Sequence, residues 1–542
     1  MQNTEQSSNS SGSTPQRPVR YSTGRTLLFS AIFALGAGLL ASLLAIVVMI
    51  TLRLLAGIPT PVELFGDFYL KHIDVHVFIA LLNRFNPNSK TAPLGLALLG
   101  MLGLGTVLGL VYAAILRLPL PVEGYRPTRR EELVVAGFAG AMTLIAVVLF
   151  WDEIRQNLFG FSIAWARAIT IVGLLVEFCV YGAALCVAYR ALLPKLPATD
   201  LTPAVQERRQ LLSRAGVAAL TVGAAAGTLG LVRAYFDTYT AYDGMETPNH
   251  QSVTSPITPN DEYYVVTQNA LDPKPDPNLW QLEVTGLVNK PGVYNYTNLQ
   301  KLPSTSRAVT IECISNGTGG HLMSTAVWQG VTLNTLLEQH GGSQATANYV
   351  AFHSVDGYTT SLPLKEVLEA DPILAWRMNG VEVPQRHGFP LRVVMPGRYG
   401  EESPKWLTRV ELTDHFVGGL YSDQGWYNGE IRMTSRIDRP GGRISAGRTV
   451  EVGGIAYAGI HGIQKVEVST DNGRTWQQAN LQPALSKDSW VLWTLPWKPA
   501  GPGKYTLVVR ATNAQGQLQS GTFLRTVPTG GAGYHRVPVE VV

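Results

Sequence analysis

The sequence predicts a multi-domain protein with an all-α transmembrane region, an α+β domain and an immunoglobulin-like β-sandwich, in that order. Three observations support this fold class. The first 235 residues are mostly apolar, whereas the remainder has the composition of a soluble protein rich in Gly, Pro, Trp and Tyr. The segment after the apolar runs mixes short strand and helix patterns without regular alternation. From Ser435 onwards, short strands of alternating polarity are separated by turn sequences.

We expect the chain to divide at the following boundaries. Residues 1–25 are rich in Ser, Asn and Gln, which is typical of a disordered tail. Four membrane spans occupy 26–193, and a cytoplasmic linker with a fifth transmembrane helix occupies 194–238. The α+β domain covers 239–434, and the β-sandwich covers 435–542.

Five apolar runs are long enough to cross a bilayer as helices. With the N-terminus inside, twelve Lys and Arg residues fall on the cytoplasmic side and six in the outer loops, in agreement with the positive-inside rule. We therefore expect a multi-pass protein of a bacterial cytoplasmic membrane, embedded in the lipid bilayer, with its C-terminal half on the extracytoplasmic side. The thinly spread net charge of +4 gives no support to nucleic-acid binding. The runs are Thr26–Thr51, Ala92–Leu116, Leu133–Trp151, Ala168–Tyr189 and Ala215–Val232.

The segment from Leu54 to Phe85 is apolar but carries several charges, which predicts a loop with an interfacial or re-entrant helix. His72 and His76 would share one face of such a helix. A haem held between two helices would lack its opposite ligand, because no other histidine precedes residue 250. We therefore expect no haem, and an exposed amphipathic loop explains the two histidines better.

The fifth span begins with paired arginines, Arg208 and Arg209, followed by a weakly hydrophobic run rich in Ala and Gly. This pattern resembles a twin-arginine export signal placed inside the chain. The positive-inside rule alone would also place basic residues here. A true export signal would mean that the following domain crosses the membrane already folded, with any cofactor inserted, while the helix remains as an anchor.

The C-terminal half contains clear local patterns. Leu333, Leu336 and Leu337 repeat at helical spacing after Thr332, a residue type that favours helix N-caps. A second helix is predicted over Leu364–Leu368. The expected strands of the sandwich are Val450–Tyr457, Ile463–Ser469, Trp490–Trp497 and Lys504–Ala511.

Cys313 is the only cysteine beyond the apolar runs, and it lies where a strand meets a glycine-rich loop. Val309, Ile311 and Cys313 alternate with polar residues and should share one face of that strand. No second cysteine of this half could form a disulfide with it. The thiol is therefore either a small buried core group or a thiolate that binds a metal or acts as a nucleophile.

Several motifs in the same half resemble the sulfite oxidase family of molybdopterin-dependent oxidoreductases. The similarity covers about Thr258 to Val527, and the motifs occur in the family's order. They are Thr258-Pro259-Asn260 with Tyr263-Tyr264-Val265, Glu312-Cys313 through Asn316, Phe352 to Asp356, Leu374 to Gly380, His387 to Arg392, Lys405-Trp406-Leu407, and Val466 to Ser469.

The resemblance implies a molybdenum–molybdopterin cofactor whose metal is bound by the Cys313 thiolate. It also implies that His387, Arg392 and Lys405 bind the cofactor's phosphate through charge-assisted hydrogen bonds. Tyr427 is implied as a catalytic residue together with Cys313. The full set of expected cofactor-binding residues, with Asp356 on the pterin side, is Asn260, Tyr264, Val265, Cys313, Asp356, His387, Arg392, Ser403 and Lys405.

The sequence also departs from that family. True sulfite oxidases place arginines beside the metal to bind the sulfite dianion. At those positions this sequence has Val266, Gly317 and Thr318, and Gln268 stands where a histidine is usual. A small dianion would lose hydration there without gaining compensating ion pairs. The departures favour a neutral oxo substrate, such as a sulfoxide or an N-oxide, over sulfite.

The expected function is therefore oxo transfer by a membrane-anchored, molybdenum-dependent oxidoreductase outside the cytoplasmic membrane. An external carrier, either a quinone-linked protein or a cytochrome, would exchange electrons with it. The C-terminal part resembles the family's dimerisation domain, so the resemblance allows a homodimer. The alternative is a membrane-tethered binding module that kept the fold and lost catalysis. The retained Cys313, Arg392 and Lys405 argue against that alternative.

Overall fold

The structure, a computed structural model, describes residues 22–85, 91–197, 202–237, 245–246, 255–267 and 272–542. The chain divides into two compact units. Residues 50–97 and 145–174, which the sequence assigned to the membrane region, belong to the same unit as the expected cofactor domain. The helical unit consists of Met1–Met49, Leu98–Leu144 and Leu175–Val232, and the second unit consists of Ile50–Ala97, Ile145–Leu174 and Arg233–Val542.

Seven helices are described before residue 238. Five of them, α1 and α4 to α7, are long and apolar enough to cross a membrane. The first begins at Thr23, inside the segment assigned to the tail; residues 1–21 lie outside the described residues. The helices are α1 Thr23–Ala56, α2 Pro61–His72, α3 Val75–Phe85, α4 Thr91–Leu116, α5 Arg129–Leu149, α6 Ile163–Leu192 and α7 Pro203–Asp237.

Small residues set the helix packing in the helical unit. A Cβ atom placed on Gly109 of α4 would lie 2.3 Å from the carbonyl oxygen of Ala34 in α1, so only glycine allows this approach. In α6, the Tyr181 hydroxyl donates a 2.6 Å hydrogen bond to the carbonyl oxygen of Gly105. Close backbone contact and interhelical hydrogen bonds therefore hold these helices together.

The segment predicted to contain one interfacial helix contains two. Helix α2 begins with a capping box, in which the Thr60 side chain accepts from the Glu63 backbone and Glu63 accepts from the Thr60 backbone. It ends at His72, because Ile73 adopts an extended backbone conformation. His76 belongs to the next helix, so the expectation that both histidines share one helical face was wrong.

The cofactor-domain region is β-rich, with two five-stranded sheets and short helices. The strands are β1 Met245–Glu246, β2 Val265–Val266, β3 Gln281–Gly286, β4 Gly292–Asn295, β5 Thr305–Glu312, β6 Met323–Thr332, β7 Tyr349–Ser354, β8 Thr359–Pro363, β9 Ile373–Met378, β10 Val381–Glu382, β11 Arg392–Val394 and β12 Leu407–Thr413. The helices are α8 Tyr296–Leu299, α9 Leu333–Gln339, α10 Leu364–Ala370 and α11 Leu420–Asp423.

The first sheet has the order β10-β9-β6-β5, with β11 also paired to β9, and the second has the order β4-β3-β12-β7-β8. Strands β12 and β3 run parallel, and the other pairs in these two sheets are antiparallel. The two helices expected from leucine spacing are confirmed as α9 and α10, and the Thr332 side chain caps α9 by accepting from the Thr335 backbone.

Strand β5 delivers Cys313 to the end of the first sheet. It pairs with β6 from Thr305 opposite Gly330 to Glu312 opposite Met323. Val309, Ile311 and Cys313 belong to one cluster of buried residues, as expected for a shared face. The opposite face of β5 is also covered, because the Trp490 backbone N–H of the C-terminal domain donates to the Thr310 hydroxyl at 2.8 Å.

The C-terminal region contains two sheets, ordered β13-β15-β19-β18 and β14-β21-β20-β16-β17. Residues from both sheets, among them Val452, Trp493, Val468 and Leu507, form a common core. The architecture is thus two sheets packed face to face, and the immunoglobulin type stays a prediction. The strands are β13 Thr434–Arg439, β14 Gly442–Ile444, β15 Val450–Tyr457, β16 Ile463–Ser469, β17 Gln477–Gln478, β18 Asn480–Leu481, β19 Val491–Trp497, β20 Gly503–Asn513 and β21 His535–Val541.

Candidate active site

The loop that carries Cys313 is held by its own side chains. Asn316 donates a 2.8 Å hydrogen bond to the Glu312 carboxyl group and accepts one of 3.0 Å from the Leu322 backbone. The Cys313 backbone is bonded at both ends, because its N–H donates to the Leu322 carbonyl and its carbonyl accepts from Asn316. The loop therefore closes on itself and fixes the direction of the thiol, which is 7% exposed.

Carboxyl and phenol groups surround this thiol. Burial raises the pKa of Cys313 to about 12, and Glu401 and Glu312 are the neighbouring charges that add to this rise. Burial also raises the pKa of Glu312 to about 8 and that of Glu401 well above its usual range. The buried Tyr264 and the half-buried Tyr421 lie within electrostatic range of the sulfur. A thiolate at this position therefore requires a nearby cation, such as a bound metal.

Two cations lie in the same domain as this thiol. The Arg392 guanidinium donates to the carbonyl oxygens of His387, at 2.9 Å, and of Ser403, at 3.1 Å. The Lys405 ammonium donates to the Arg386 carbonyl oxygen at 3.1 Å. Burial and the neighbouring Arg392 lower the pKa of Lys405 to about 8. Within the described ranges, neither Arg392 nor Lys405 forms an ion pair with a carboxylate.

This charge arrangement fits the implied cofactor. Arg392 is buried and Lys405 is half-buried, and the side-chain hydrogen bonds of both go to neutral carbonyl groups. Asp272 and Asp356 act on Lys405 electrostatically, but a desolvated cation is more stable when an anion binds it directly. A phosphate would supply that anion for Arg392 and Lys405. A soft metal ion would stabilise the Cys313 thiolate. The chemistry of the donors thus matches a group that carries both a metal and a phosphate.

His387 acts as a neutral hydrogen-bond donor. Its Nε2 lies 3.0 Å from the carbonyl oxygen of Asn260, which can only accept, so Nε2 carries the proton. Burial, together with the charges of Arg392 and Lys405, lowers the pKa of His387 to about 3. The ring therefore positions the Asn260 backbone and adds no charge of its own.

The entry motif is fixed by hydrogen bonds to the sheet. The side chain of Asn379 donates to the Asn260 side-chain oxygen at 2.8 Å. The Tyr264 backbone N–H donates to the Ser324 hydroxyl at 3.1 Å, and Val265 is paired in strand β2. Ser403 is bound through its hydroxyl, which accepts a 3.0 Å bond from the Met395 backbone.

Asp356 lies in the turn between β7 and β8. Its carboxyl group accepts a 3.1 Å hydrogen bond from the Tyr358 backbone, which closes the turn. The preceding Val355 backbone N–H donates to the Trp406 carbonyl oxygen at 2.9 Å. The turn is thereby joined to the segment that begins with Lys405.

Tyr427 packs in a buried cluster that also contains Ile314, the residue after Cys313. The Arg432 guanidinium lies over its ring, 5.2 Å from the centroid. Packing therefore brings the expected catalytic tyrosine close to the cysteine loop. A catalytic role for Tyr427 stays a prediction, as do the roles of the other expected site residues.

Sequence reasoning missed Glu401 and Tyr421 beside the thiol. Glu401 lies between two noted motifs, Pro396-Gly397 and Lys405-Trp406, so its position offered a signal. Tyr421 lies in helix α11, outside every motif. Of the positions where the sequence departs from the family, Val266, Gly317 and Thr318, which stand in place of arginines, are described, whereas Gln268, which stands in place of a histidine, lies outside the described residues.

Two family models match the second half of the chain. Residues 269–421 match the oxidoreductase molybdopterin binding domain. Residues 434–542 match the Mo-co oxidoreductase dimerisation domain. The two matches follow each other in the order of the two β-rich regions described above.

Three similar proteins indicate how far the likeness extends. Mitochondrial sulfite oxidase of Rattus norvegicus is 29% identical over 354 residues, which are 55% of this chain and 64% of that protein. The NADPH nitrate reductase of Aspergillus niger is 29% identical over 262 residues, 38% of this chain and 30% of that protein. The uncharacterized oxidoreductase YuiH of Bacillus subtilis (strain 168) is 34% identical over 152 residues, 28% of this chain and 74% of that protein. The chain thus spans just under two thirds of the rat protein's length.

Proposed function

Because the chain belongs to the sulfite oxidase family of molybdopterin-dependent oxidoreductases, we propose that it is a membrane-anchored enzyme that transfers an oxo group outside the cytoplasmic membrane. Its substrate is a sulfoxide or another neutral oxo compound. The alternative of a binding module without catalysis is less well supported, because the metal-binding thiol and the phosphate-binding cations are all retained.

One observation carries the proposal. The buried Cys313 thiol, the buried Arg392 and the half-buried Lys405 lie in the same domain, and Tyr264 is within electrostatic range of both Cys313 and Arg392, so the set of groups suits one cofactor that carries a metal and a phosphate. When bound, the molybdenum–molybdopterin cofactor supplies oxo transfer coupled to a two-electron change. Cys313 binds the metal, Arg392 and Lys405 bind the phosphate, and Asp356 orients the pterin. Tyr427 contacts the substrate.

The ionisable groups near the thiol support a neutral substrate. The groups with the largest electrostatic effect on Cys313 are the carboxyl groups of Glu401 and Glu312, not arginines. Among the described residues, no cation is a leading electrostatic neighbour of Cys313, so an incoming dianion would lose its hydration without compensation from them. A sulfoxide or an N-oxide carries no net charge, so it enters at a smaller desolvation cost.

Membrane anchoring, the electron carrier and assembly complete the proposal. The five apolar helices support anchoring in a bacterial cytoplasmic membrane. The paired Arg208 and Arg209, in the N-terminal part of the last of them, act as an internal export signal. Electrons come from an external quinone-linked protein or a cytochrome. The match to a dimerisation domain supports a homodimer through residues 434–542.

Metal analysis and a matched pair of cysteine variants test the assignment. The full-length protein, expressed with molybdate, is expected to contain about one molybdenum and one pterin per chain. Cys313→Ala should lower turnover by roughly a hundredfold or more, and its metal spectrum should lose one sulfur ligand. Cys179→Ser, in a helix of the helical unit, should leave both unchanged.

The outcomes separate the candidate functions. Molybdenum-free wild-type protein would favour the binding module, and turnover together with a metal spectrum that survive Cys313→Ala would exclude the assigned ligand. Dye-linked assays with sulfoxides, N-oxides and sulfite then address the substrate. Efficient turnover of sulfite would overturn only the neutral-substrate argument.

A further inference from the structure

A short segment between α5 and α6 reaches into the cofactor domain. It contains the single helical turn Glu153–Arg155 and belongs to the same compact unit as that domain. The Arg155 guanidinium donates to the Thr359 hydroxyl at 2.6 Å and to the Gly357 carbonyl oxygen at 3.4 Å. Gly357 lies in the turn that carries Asp356, and Thr359 follows that turn directly.

Arg155 also contacts a histidine that is hydrogen-bonded to a carboxylate. It lies 3.3 Å from Nδ1 of His353, whose Nε2 lies 2.8 Å from the Glu411 carboxylate. A guanidinium can only donate and a carboxylate can only accept, so Nδ1 is the acceptor and Nε2 carries the proton. Burial lowers the pKa of His353, which keeps the ring neutral. Asp152 and Glu153 are the carboxyl groups that stabilise the charge of Arg155 electrostatically. Glu411 holds the neutral imidazole that Arg155 contacts, and within the described ranges Arg155 forms no direct ion pair with a carboxylate.

Backbone hydrogen bonds fix the same segment beside the turn. The Asn157 N–H donates to the Val355 carbonyl oxygen at 3.0 Å. The carbonyl oxygens of Leu158 and Phe159 accept from Lys274 and Asp276, at 2.8 and 3.0 Å. The segment is thus attached to the domain by three main-chain hydrogen bonds directly after Arg155 and is held more firmly than a loosely packed surface loop.

The opposite side of the turn faces the cofactor site. The Val355 N–H donates to the Trp406 carbonyl oxygen at 2.9 Å, and the Tyr358 hydroxyl donates to the Glu401 carbonyl oxygen at 2.7 Å. Residues 355–358 therefore lie between the Arg155 segment and the wall formed by Glu401 and Trp406. Any loosening on the Arg155 side would be transmitted to Asp356.

We propose that Arg155 is a positioning residue, which holds the Val355–Tyr358 turn so that Asp356 can bind the pterin. The inference rests on the proposed function for the identity of the ligand. It assigns to the segment between α5 and α6 a part in building the cofactor site, beyond its role as a connection between helices. Pre-ordering this turn reduces the conformational entropy lost when the cofactor binds.

Two measurements on the full-length protein in detergent test the proposal. Hydrogen exchange of residues 355–359 in cofactor-free protein reports the order of the turn. Molybdenum and pterin content after dialysis reports cofactor retention. Arg155→Ala should speed exchange at the turn and cofactor loss by about tenfold each, because it removes hydrogen bonds from a charged donor. Arg155→Lys, which keeps a donor for Thr359, should restore part of both.

Matched variants keep the test decisive. Arg167→Ala is the control, because Arg167 lies over the exposed ring of Trp151 at 4.2 Å and forms no hydrogen bond to the turn within the described ranges. Thr359→Val removes the acceptor of the hydrogen bond from Arg155. It should reproduce the Arg155→Ala result, and it keeps the test usable even if the arginine variant folds poorly.

Three results would overturn the proposal. Unchanged exchange at the turn in both Arg155→Ala and Thr359→Val would show that the contact does not order it. Faster exchange with normal cofactor retention would reduce Arg155 to a structural contact. Equal effects in Arg167→Ala would point to general destabilisation. Wild-type protein without molybdenum and pterin would instead contradict the proposed function, whatever the exchange data show.

Discussion

The side-chain amide of Asn379 donates a 2.8 Å hydrogen bond to the side-chain oxygen of Asn260, and so joins two motifs that lie 119 residues apart. The same amide group donates to the Thr258 carbonyl oxygen at 2.9 Å, while its oxygen accepts from the Val327 backbone at 2.8 Å. Asn379 has a left-handed backbone with φ of 50°. Asparagine tolerates this conformation better than most residues and also supplies the three bonds.

Replacing Asn379 should therefore destabilise the domain and loosen the entry motif. Asn379→Ala loses the three hydrogen bonds and keeps the strained backbone, so the free energy of unfolding should fall by roughly 2–4 kcal/mol. Asn379→Gly loses the same hydrogen bonds, but glycine adopts the left-handed backbone conformation without strain. It should therefore be about 1 kcal/mol more stable than the alanine variant. Denaturant unfolding, followed through the spectroscopic signal of the soluble half, measures the free energy of unfolding of both variants. Equal stability of the two variants would show that backbone strain is unimportant.

Adding a positive charge to the cysteine loop should improve the use of sulfite. A Cβ atom on Gly317 would lie 3.6 Å from its nearest neighbour, a Thr526 methyl group. The first atom of a new side chain therefore causes no clash. Gly317→Arg should lower the KM for sulfite by roughly tenfold at low salt, and the effect should shrink as ionic strength rises. Gly317→Gln adds a side chain of comparable length without charge, and an equal gain in that variant would contradict the electrostatic explanation.

Lys405 should stabilise the cofactor complex and destabilise the empty protein. Its pKa in the folded state, about 8, lies below the ordinary value of 10.5. The folded state therefore binds fewer protons than the unfolded state between these values, so stability is lowest below about pH 8 and rises up to about pH 10.5. Lys405→Met should stabilise cofactor-free protein at pH 7 by up to roughly 3 kcal/mol and remove this pH dependence.

The same substitution should weaken cofactor retention, because the phosphate loses a cationic partner. Lys405→Arg is the matched control: it keeps the charge and should retain the cofactor at pH 9 better than the wild type. Thermal unfolding of cofactor-free protein and pterin content of loaded protein measure the two effects. Tighter retention in Lys405→Met would argue against phosphate binding at this position.

Asp67 should make the α2 segment sensitive to pH. Burial raises the pKa of this carboxyl group from 3.8 to about 7, although Gln156 donates a 2.8 Å hydrogen bond to it. The folded state therefore binds a proton that the unfolded state has released, and stability falls as pH rises from about 4 to about 7. The thermal midpoint of the wild type should drop between pH 5 and pH 8, and Asp67→Asn should largely abolish the drop.

Asp74→Asn provides the control for this measurement, because it removes an exposed carboxylate from the same region. Its pH profile should follow that of the wild type. A wild-type midpoint that stays constant from pH 5 to pH 8 would show that Asp67 is hydrated in solution and carries its charge throughout.

Local patterns predicted much of the fold. Apolar runs indicated the five long helices, leucine spacing after Thr332 predicted α9, and alternating polarity predicted β15 and β16 with their observed bounds. These features depend on interactions within one element, so a short window of sequence contains the information. The break at Ile73 escaped this reasoning, because neither proline nor glycine marks it.

The sequence by itself determined the elements, the position of Cys313 at a strand end and the motifs that resemble one family. Only the tertiary structure decided that Glu401 and Tyr421 lie near the thiol, and that Arg155 reaches Thr359 across 204 residues of chain. Such contacts depend on how separate elements pack, and packing is set by the shape and burial of many side chains at once. No periodicity or spacing in the chain encodes that arrangement locally.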